Sequence, residues 1–154
     1  MRPALIVVNV IGWPILQMGI AWLFTRIRIT LPPQSNILAR VSWREVSFYR
    51  SALKLNQWKH RLPDGAAWVG GSFSKQSLQR RDDAYLTQFA AETWRGELAH
   101  WVMFLLCPIF FLWNPLWADG VMIAYAVLAN IPCILAQRYN RYTFLRILKR
   151  RKAG

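Results

Sequence analysis

No zinc, haem or iron–sulfur spacing occurs in this sequence, nor does any internal repeat or low-complexity segment. The two cysteines, Cys107 and Cys133, sit inside apolar runs and read as packing residues; nothing around them demands a disulfide. Acidic residues are scarce, with 7 Asp and Glu against 20 Lys and Arg and a net charge of +13. That balance raises nucleic acid as a partner, but the placement of the charge argues against it. Apart from Arg2, every Lys and Arg lies between Arg26 and Arg95 or after Gln137, so 19 of 20 fall in two blocks. Loops on one side of a bilayer have this distribution, and a basic tail that bound nucleic acid would need a soluble domain that this chain hardly has.

What is abundant fits the same picture. Hydrophobic residues make up 55% of the chain, with 9 Trp, 8 Phe and 5 Tyr, whereas charged residues are 18%. Aromatics at this density suit an apolar solvent with wet edges. The 154 residues amount to one membrane domain, 1–154, of the all-α class. Spans are expected over about 4–24, 101–118 and 121–137. An interfacial region covers about 26–98, and a basic tail covers 138–154.

The first run is uncharged from Ala4 to Phe24. A signal peptide competes with a retained span there, but the run is long for an h-region and its basic residues follow it. Pro14 can kink this span, while Asn9 and Gln17 can bond to neighbouring helices. Leu31-Pro32-Pro33 ends it. Val41, Phe48, Ala52, Leu55 and Trp58 are spaced as one apolar face of an amphipathic helix over about 41–61, able to lie in the headgroup plane or pack on the protein. Pro63-Asp64-Gly65 is a turn signal, and Gly70-Gly71-Ser-Phe-Ser-Lys75 reads as a plain loop rather than a phosphate cradle. Asp82 or Asp83 can cap the next helix. Pro108 and Asn114-Pro115 break the second span, and Pro132 falls in the third. The basic blocks put the N-terminus outside, with the central region and the tail cytoplasmic.

Candidate chemistry gathers in Glu92-Thr-Trp-Arg-Gly-Glu97-Leu-Ala-His100-Trp101, where charge and an imidazole precede a run without charge. At about 100° per residue, Glu92 and Glu97 fall to either side of His100. An imidazole can act as general base toward an alcohol, and a neighbouring carboxylate can fix its tautomer. The bland alternative is a histidine that snorkels to the interface. His60 reads as a solvated residue. Asn130, inside an apolar helix, is costly to leave unpaired. Arg138 and Arg141, one turn apart, can clamp phosphate or carboxylate, or simply anchor the chain to anionic lipid as the Lys149-Arg-Arg-Lys152 run does.

The blocks "QWKHRLPDGA", "ETWRGELAHW", "NIPCILAQRYNR" and "LRILKRR", in that order from Trp58 to Arg151, closely resemble the glycosyl-4,4'-diaponeurosporenoate acyltransferase family. The resemblance implies a small membrane enzyme that esterifies a sugar hydroxyl of a glycosylated carotenoid with a fatty acyl chain. It marks Trp58, Lys59, Asp64, Gly65, Glu92, Arg95, Glu97, His100, Trp101, Asn130, Gln137, Arg138, Tyr139, Asn140 and Arg141 as matching positions without assigning roles. The His-x-x-x-x-Asp box of glycerolipid acyltransferases is missing, since Leu105 stands five residues after His100.

No Ser or Cys stands as an obvious nucleophile, which favours direct attack by the acceptor. His100 is then the expected base, with Glu97 or Glu92 orienting it. Trp58, Lys59, Asp64, Arg95, Trp101, Asn130, Gln137, Arg138, Asn140 and Arg141 are the expected substrate contacts. Lys59, Arg95, Arg138 and Arg141 would bind donor phosphates or an oxyanion. No metal or bound cofactor is expected; acyl-CoA or an acyl carrier protein would supply the acyl group. The competing class is a non-catalytic subunit that binds lipid or pigment within a larger membrane complex.

Overall fold

The computed structural model describes residues 3–32, 40–62 and 82–153. Among them there is no strand, and three segments are long and apolar enough to cross a membrane: Pro3–Arg26, Asp83–Leu112 and Leu116–Ala153. The all-α architecture with three such helices is as the sequence leads one to expect.

Helix α1, Pro3–Arg26, runs through Pro14 and ends where Arg26 and Arg28 follow the apolar run. Helix α2, Trp43–Ser51, opens on a reciprocal cap. Ser42 accepts from the Glu45 backbone N–H at 3.2 Å, and Glu45 Oε2 accepts from the Ser42 N–H at 3.4 Å. A single helix over 41–61 does not form. Lys54 takes a left-handed conformation with φ of 47°, which ends α2 and sets the one-turn helix α3, Leu55–Trp58, at a new angle. A 3₁₀ turn, Lys59–Arg61, follows. The buried face also differs from the one that periodicity suggests. Val46, Tyr49 and Leu55 are buried, whereas Phe48 is 56% exposed.

Helix α4, Asp83–Leu105, is capped by Asp82, whose side chain accepts from the Tyr85 N–H at 2.9 Å. The helix that carries the expected second span therefore begins well before residue 101, and the charged cluster lies within the helix rather than at its start. A 3₁₀ segment, Cys107–Leu112, with Pro108 in its first turn, continues α4 to the turn at Asn114-Pro115. Helix α5, Leu116–Ala153, then returns as one rod. It absorbs the expected third span, Pro132 and the whole basic tail. At 1.5 Å per residue its 38 residues reach about 57 Å, nearly twice a hydrocarbon core of roughly 30 Å.

Helices α4 and α5 form the antiparallel hairpin on which the rest is built. Asp83 pairs with Arg151 at 2.7 Å, the Phe89 ring lies 4.5 Å from Phe144, and His100 meets Asn130. Helix α1 lies against this hairpin. Trp13 stacks on Phe110 with centroids 4.7 Å apart, and its indole N–H points to Met122 Sδ at 3.2 Å. A Cβ on Gly12 would stand 3.2 Å from the Phe110 ring, so a larger residue there would have to shift that ring by a few tenths of an ångström. Further along, Ile20 packs with Ala99 and Met103. Ile6, Val10, Ile15, Leu116, Val121 and Leu128 point away from the protein, as they should in hydrocarbon.

The two ends of the hairpin differ. At the turn end, Asn9 Nδ2 donates to Asn114 Oδ1 at 2.8 Å, and Asn9 Oδ1 accepts from Trp113 Nε1 at 2.9 Å. Gln17 also finds an interhelical partner, Tyr125, at 3.4 Å. At the other end lie the exit of α1, helices α2 and α3, the start of α4 and the basic end of α5.

Candidate active site

The centre of the basic end is Glu97, which is fully buried on α4. A carboxylate can be buried inside a helix only if cations accompany it. Two do, from successive turns of α5. Arg138 Nη1 donates to Glu97 Oε1 at 2.8 Å, and Arg141 Nη1 donates to Oε2 at 2.5 Å. Trp101 Nε1 adds a longer bond to Oε1 at 3.4 Å. The i, i+3 spacing of the two arginines puts both heads on the face of α5 that meets α4.

Arg138 extends the network to α2. Its Nε donates to Glu45 Oε1 at 2.7 Å, and its Nη2 donates to the Arg40 carbonyl at 3.1 Å. The Tyr49 hydroxyl donates to the same Glu45 oxygen at 2.5 Å. Burial pushes the Glu45 carboxyl up, but Arg138, Tyr49 and the Ser42 N–H outweigh it and hold it below its ordinary value. Burial and the Glu45 charge raise the Tyr49 phenol, which therefore stays protonated as a donor. With all three nitrogens engaged, Arg138 straps α2 and Arg40 to the hairpin.

Arg141 differs. Its side chain is fully buried beneath the Trp94 ring, with Cζ 5.0 Å from the centroid. Its Nε and Nη2 are buried without a hydrogen-bond partner. Gln137 Oε1, one turn earlier, is also buried and unmatched.

One turn from Glu97 toward the hairpin turn stands His100, half-buried. Its Nδ1 lies 3.1 Å from Asn130 Oδ1. Asn130 is fully buried, and its Nδ2 donates to the Ala126 carbonyl at 3.0 Å. That bond orients the amide so that an acceptor oxygen faces the imidazole. The neutral ring then carries its proton on Nδ1, which leaves Nε2 as the basic nitrogen. The expected orienting carboxylates are occupied elsewhere. Both Glu97 oxygens are taken by arginines, and Glu92 pairs with Arg95 one turn along its own helix. The Nδ1 side of His100 is held by an amide instead. Along α4 and the 3₁₀ segment, His100 stands about 20 Å from the turn end.

Lys59 Nζ donates to Asn140 Oδ1 at 2.8 Å and lies 4.6 Å from the Tyr139 ring, so three of the singled-out residues hold one another. Burial lowers the Lys59 ammonium from its usual value. Trp58 turns inward, donating to the Leu53 carbonyl at 2.9 Å, which closes the α2–α3 corner. Asp64, with the Pro63–Gly65 turn and the Gly70–Lys75 loop, lies outside the described residues. Glu45, Tyr49 and Arg40 are neighbours of this cluster that sequence reasoning missed. The signal was there in Ser42-x-x-Glu45, a capping box that is also the only acid in a basic stretch. Among the described residues no three His, Cys, Asp or Glu side chains gather as a metal centre.

A family profile described as glycosyl-4,4'-diaponeurosporenoate acyltransferase matches residues 34–150. Proteins of that name from Staphylococcus aureus strains bovine RF122 / ET3-1 and USA300 are each 34% identical to this chain over 144 residues, covering 90% of it and 87% of their own length. The protein of the same name from strain Newman is 33% identical over the same span. No solved structure matches the chain.

Proposed function

This chain belongs to the glycosyl-4,4'-diaponeurosporenoate acyltransferase family, and from that premise we propose that it esterifies a sugar hydroxyl of a glycosylated carotenoid with a fatty acyl group. The observation that carries the mechanism is the Ala126–Asn130–His100 relay, which gives a half-buried imidazole a defined tautomer. In the proposed step, His100 Nε2 takes the proton of the sugar hydroxyl while the oxygen attacks the carbonyl of an acyl thioester. The tetrahedral intermediate collapses with loss of the thiolate, and the imidazolium returns the proton to that leaving group. The carbon–oxygen bond forms on addition and the carbon–sulfur bond breaks on collapse, and no oxidant or reductant is needed. Asn130 keeps the ring in place and accepts from Nδ1–H throughout. A general base of this kind contributes roughly 10²–10⁴-fold in rate.

The acyl donor is read as acyl-CoA or an acylated carrier protein, because both pair a thioester with phosphate, and an acidic carrier also suits a basic surface. The apolar faces of α1 and α5 suit the isoprenoid body and the acyl tail. The N-terminus is read as outside and the basic end as cytoplasmic, because 19 of 20 Lys and Arg fall in the two sequence blocks from Arg26 to Arg95 and after Gln137.

The test is mass spectrometry of carotenoid glycosides from cells that make the acceptor, with and without this protein, and with His100→Ala in its place. The wild-type chain should add one acyl group to the sugar. The variant should insert into the membrane at normal levels and leave the glycoside unacylated. Full acylation by His100→Ala would remove the imidazole from the mechanism. A wild-type chain that acylates nothing while copurifying with a stoichiometric partner would return the chain to the subunit class.

A further inference from the structure

Beside the strap formed by Arg138, a cleft of about 260 Å³ opens between the exit of α1, the segment before α2 and the basic end of α5. Among the described residues four cations line it, Arg40, Arg141, Arg146 and Lys149, and no carboxylate does. Leu31 and Pro32 give it an apolar wall. This composition alone would describe any basic surface. What sets the cleft apart is Arg141, a wall residue with no exposed surface and with Nε and Nη2 unpartnered.

Those two nitrogens form one edge of the guanidinium, the fork that fits two oxygens of a phosphate or carboxylate. The opposite nitrogen, Nη1, is fixed by Glu97 at 2.5 Å, and the Trp94 ring lies against the guanidinium. The fork is therefore held in place before any ligand arrives. Leaving buried donors unmatched is costly, so native proteins rarely do it without a use. Glu97 shares its charge with Arg138 and does not neutralise the cleft.

We infer that this cleft is a phosphoryl-binding site, in which the Arg141 fork takes two oxygens while Arg40, Arg146 and Lys149 supply the balancing charge at the rim. The apolar wall suits a phosphate ester better than free phosphate. The position of the site selects among such esters. Arg141 lies eleven residues beyond Asn130 on α5, about 16 Å along the rod. A ligand that kept its reacting carbonyl near His100 and its phosphoryl group here would carry an extended linker between them, as a phosphopantetheine thioester does. That assignment of source rests on the acyltransferase reading, whereas the phosphoryl site does not. The other source of the same chemistry is the headgroup of an anionic phospholipid.

The experiment uses the full chain in nanodiscs of phosphatidylcholine, with binding of coenzyme A measured at low and high salt and pantetheine as the probe that lacks phosphate. Coenzyme A should bind and pantetheine should not. Lys149→Gln and Arg40→Gln, which remove rim charges without disturbing Glu97, should each weaken binding about three- to tenfold, and the effect should shrink with salt. Arg141→Met should abolish binding. Because that variant also unpairs Glu97, its folding is checked by circular dichroism, and if it does not fold the two rim variants decide the outcome. In a second arm, discs containing phosphatidylglycerol are tested. Lipid retention that is sensitive to the same variants, with no coenzyme A binding, supports the site and assigns it to a headgroup. If neither phosphate-bearing molecule binds, or the rim variants bind as wild type does, the inference is wrong. Variant-sensitive coenzyme A binding by a chain that acylates nothing would sink the acyltransferase reading and leave the site standing.

Discussion

The two ends of the helical hairpin both bury polar side chains, and they do so in opposite ways. At the turn end, the Asn9 amide is buried and satisfied on both sides, giving a hydrogen to Asn114 and accepting from Trp113. These groups are neutral and self-contained, which is how a polar contact glues helices together in an apolar solvent. At the basic end, Glu97, Arg138 and Arg141 are charged and incompletely matched, because Arg141 retains a fork that nothing in the described chain fills. One cluster is complete in itself. The other is complete only with a ligand, and that difference separates a structural tie from a binding site.

The contrast breaks most readily at Glu97. Glu97→Gln removes the carboxylate shared by the buried Arg141 and the half-buried Arg138 and should cost about 3–5 kcal/mol, seen as a large drop in thermal stability in detergent. Stability close to wild type would mean that the arginines are matched by groups other than Glu97. At the turn end, Asn9→Leu leaves the Trp113 N–H and the Asn114 amide without partners, at about 1–3 kcal/mol. Acylation should persist in this variant, and a parallel loss of activity would show that the two ends do not work separately.

The smallest effect is expected at Glu45, which is half-buried and joined to Arg138. Its folded-state value lies below the ordinary carboxyl value, held there by Arg138, Tyr49 and the Ser42 N–H against the opposing effect of burial. The stability it confers is therefore present in full above the unfolded carboxyl value, and it is lost as pH falls through the lowered folded value. Glu45→Gln should flatten that acid limb of a stability-against-pH curve and should change stability at neutral pH by less than about 1 kcal/mol. An unchanged acid limb would dissociate Glu45 from the strap.

How much of this could be read in the sequence depended on whether the signal was local. The spans were legible because each is a long apolar run, and the Asp82 cap was legible because capping is decided within four residues. Asn9, Gln17 and Asn130 stood out as polar residues in apolar helices, and all three have interhelical or helix-anchored bonds. The corner at Lys54 was not legible, since a lysine carries no mark of a left-handed backbone. The pairing of Glu97 with arginines rather than His100 also escaped the sequence. It depends on how α4 and α5 align across a turn containing two prolines and a 3₁₀ segment, and periodicity says nothing of that register. The length of α5 was hidden by its change of character midway, apolar up to Ala136 and basic after it, with no backbone break between.

That unbroken rod has one more consequence. Asn130, Arg138 and Arg141 keep their mutual bearings only because they share a single screw, in which each added or deleted residue swings everything beyond it by about 100° and shifts it 1.5 Å. A change of chain length between the histidine's amide partner and the paired arginines would not be felt as a gradual loosening. It would point the guanidiniums out of the bundle altogether. Variation in that stretch can come by exchanging one side chain for another, and hardly at all by insertion or deletion.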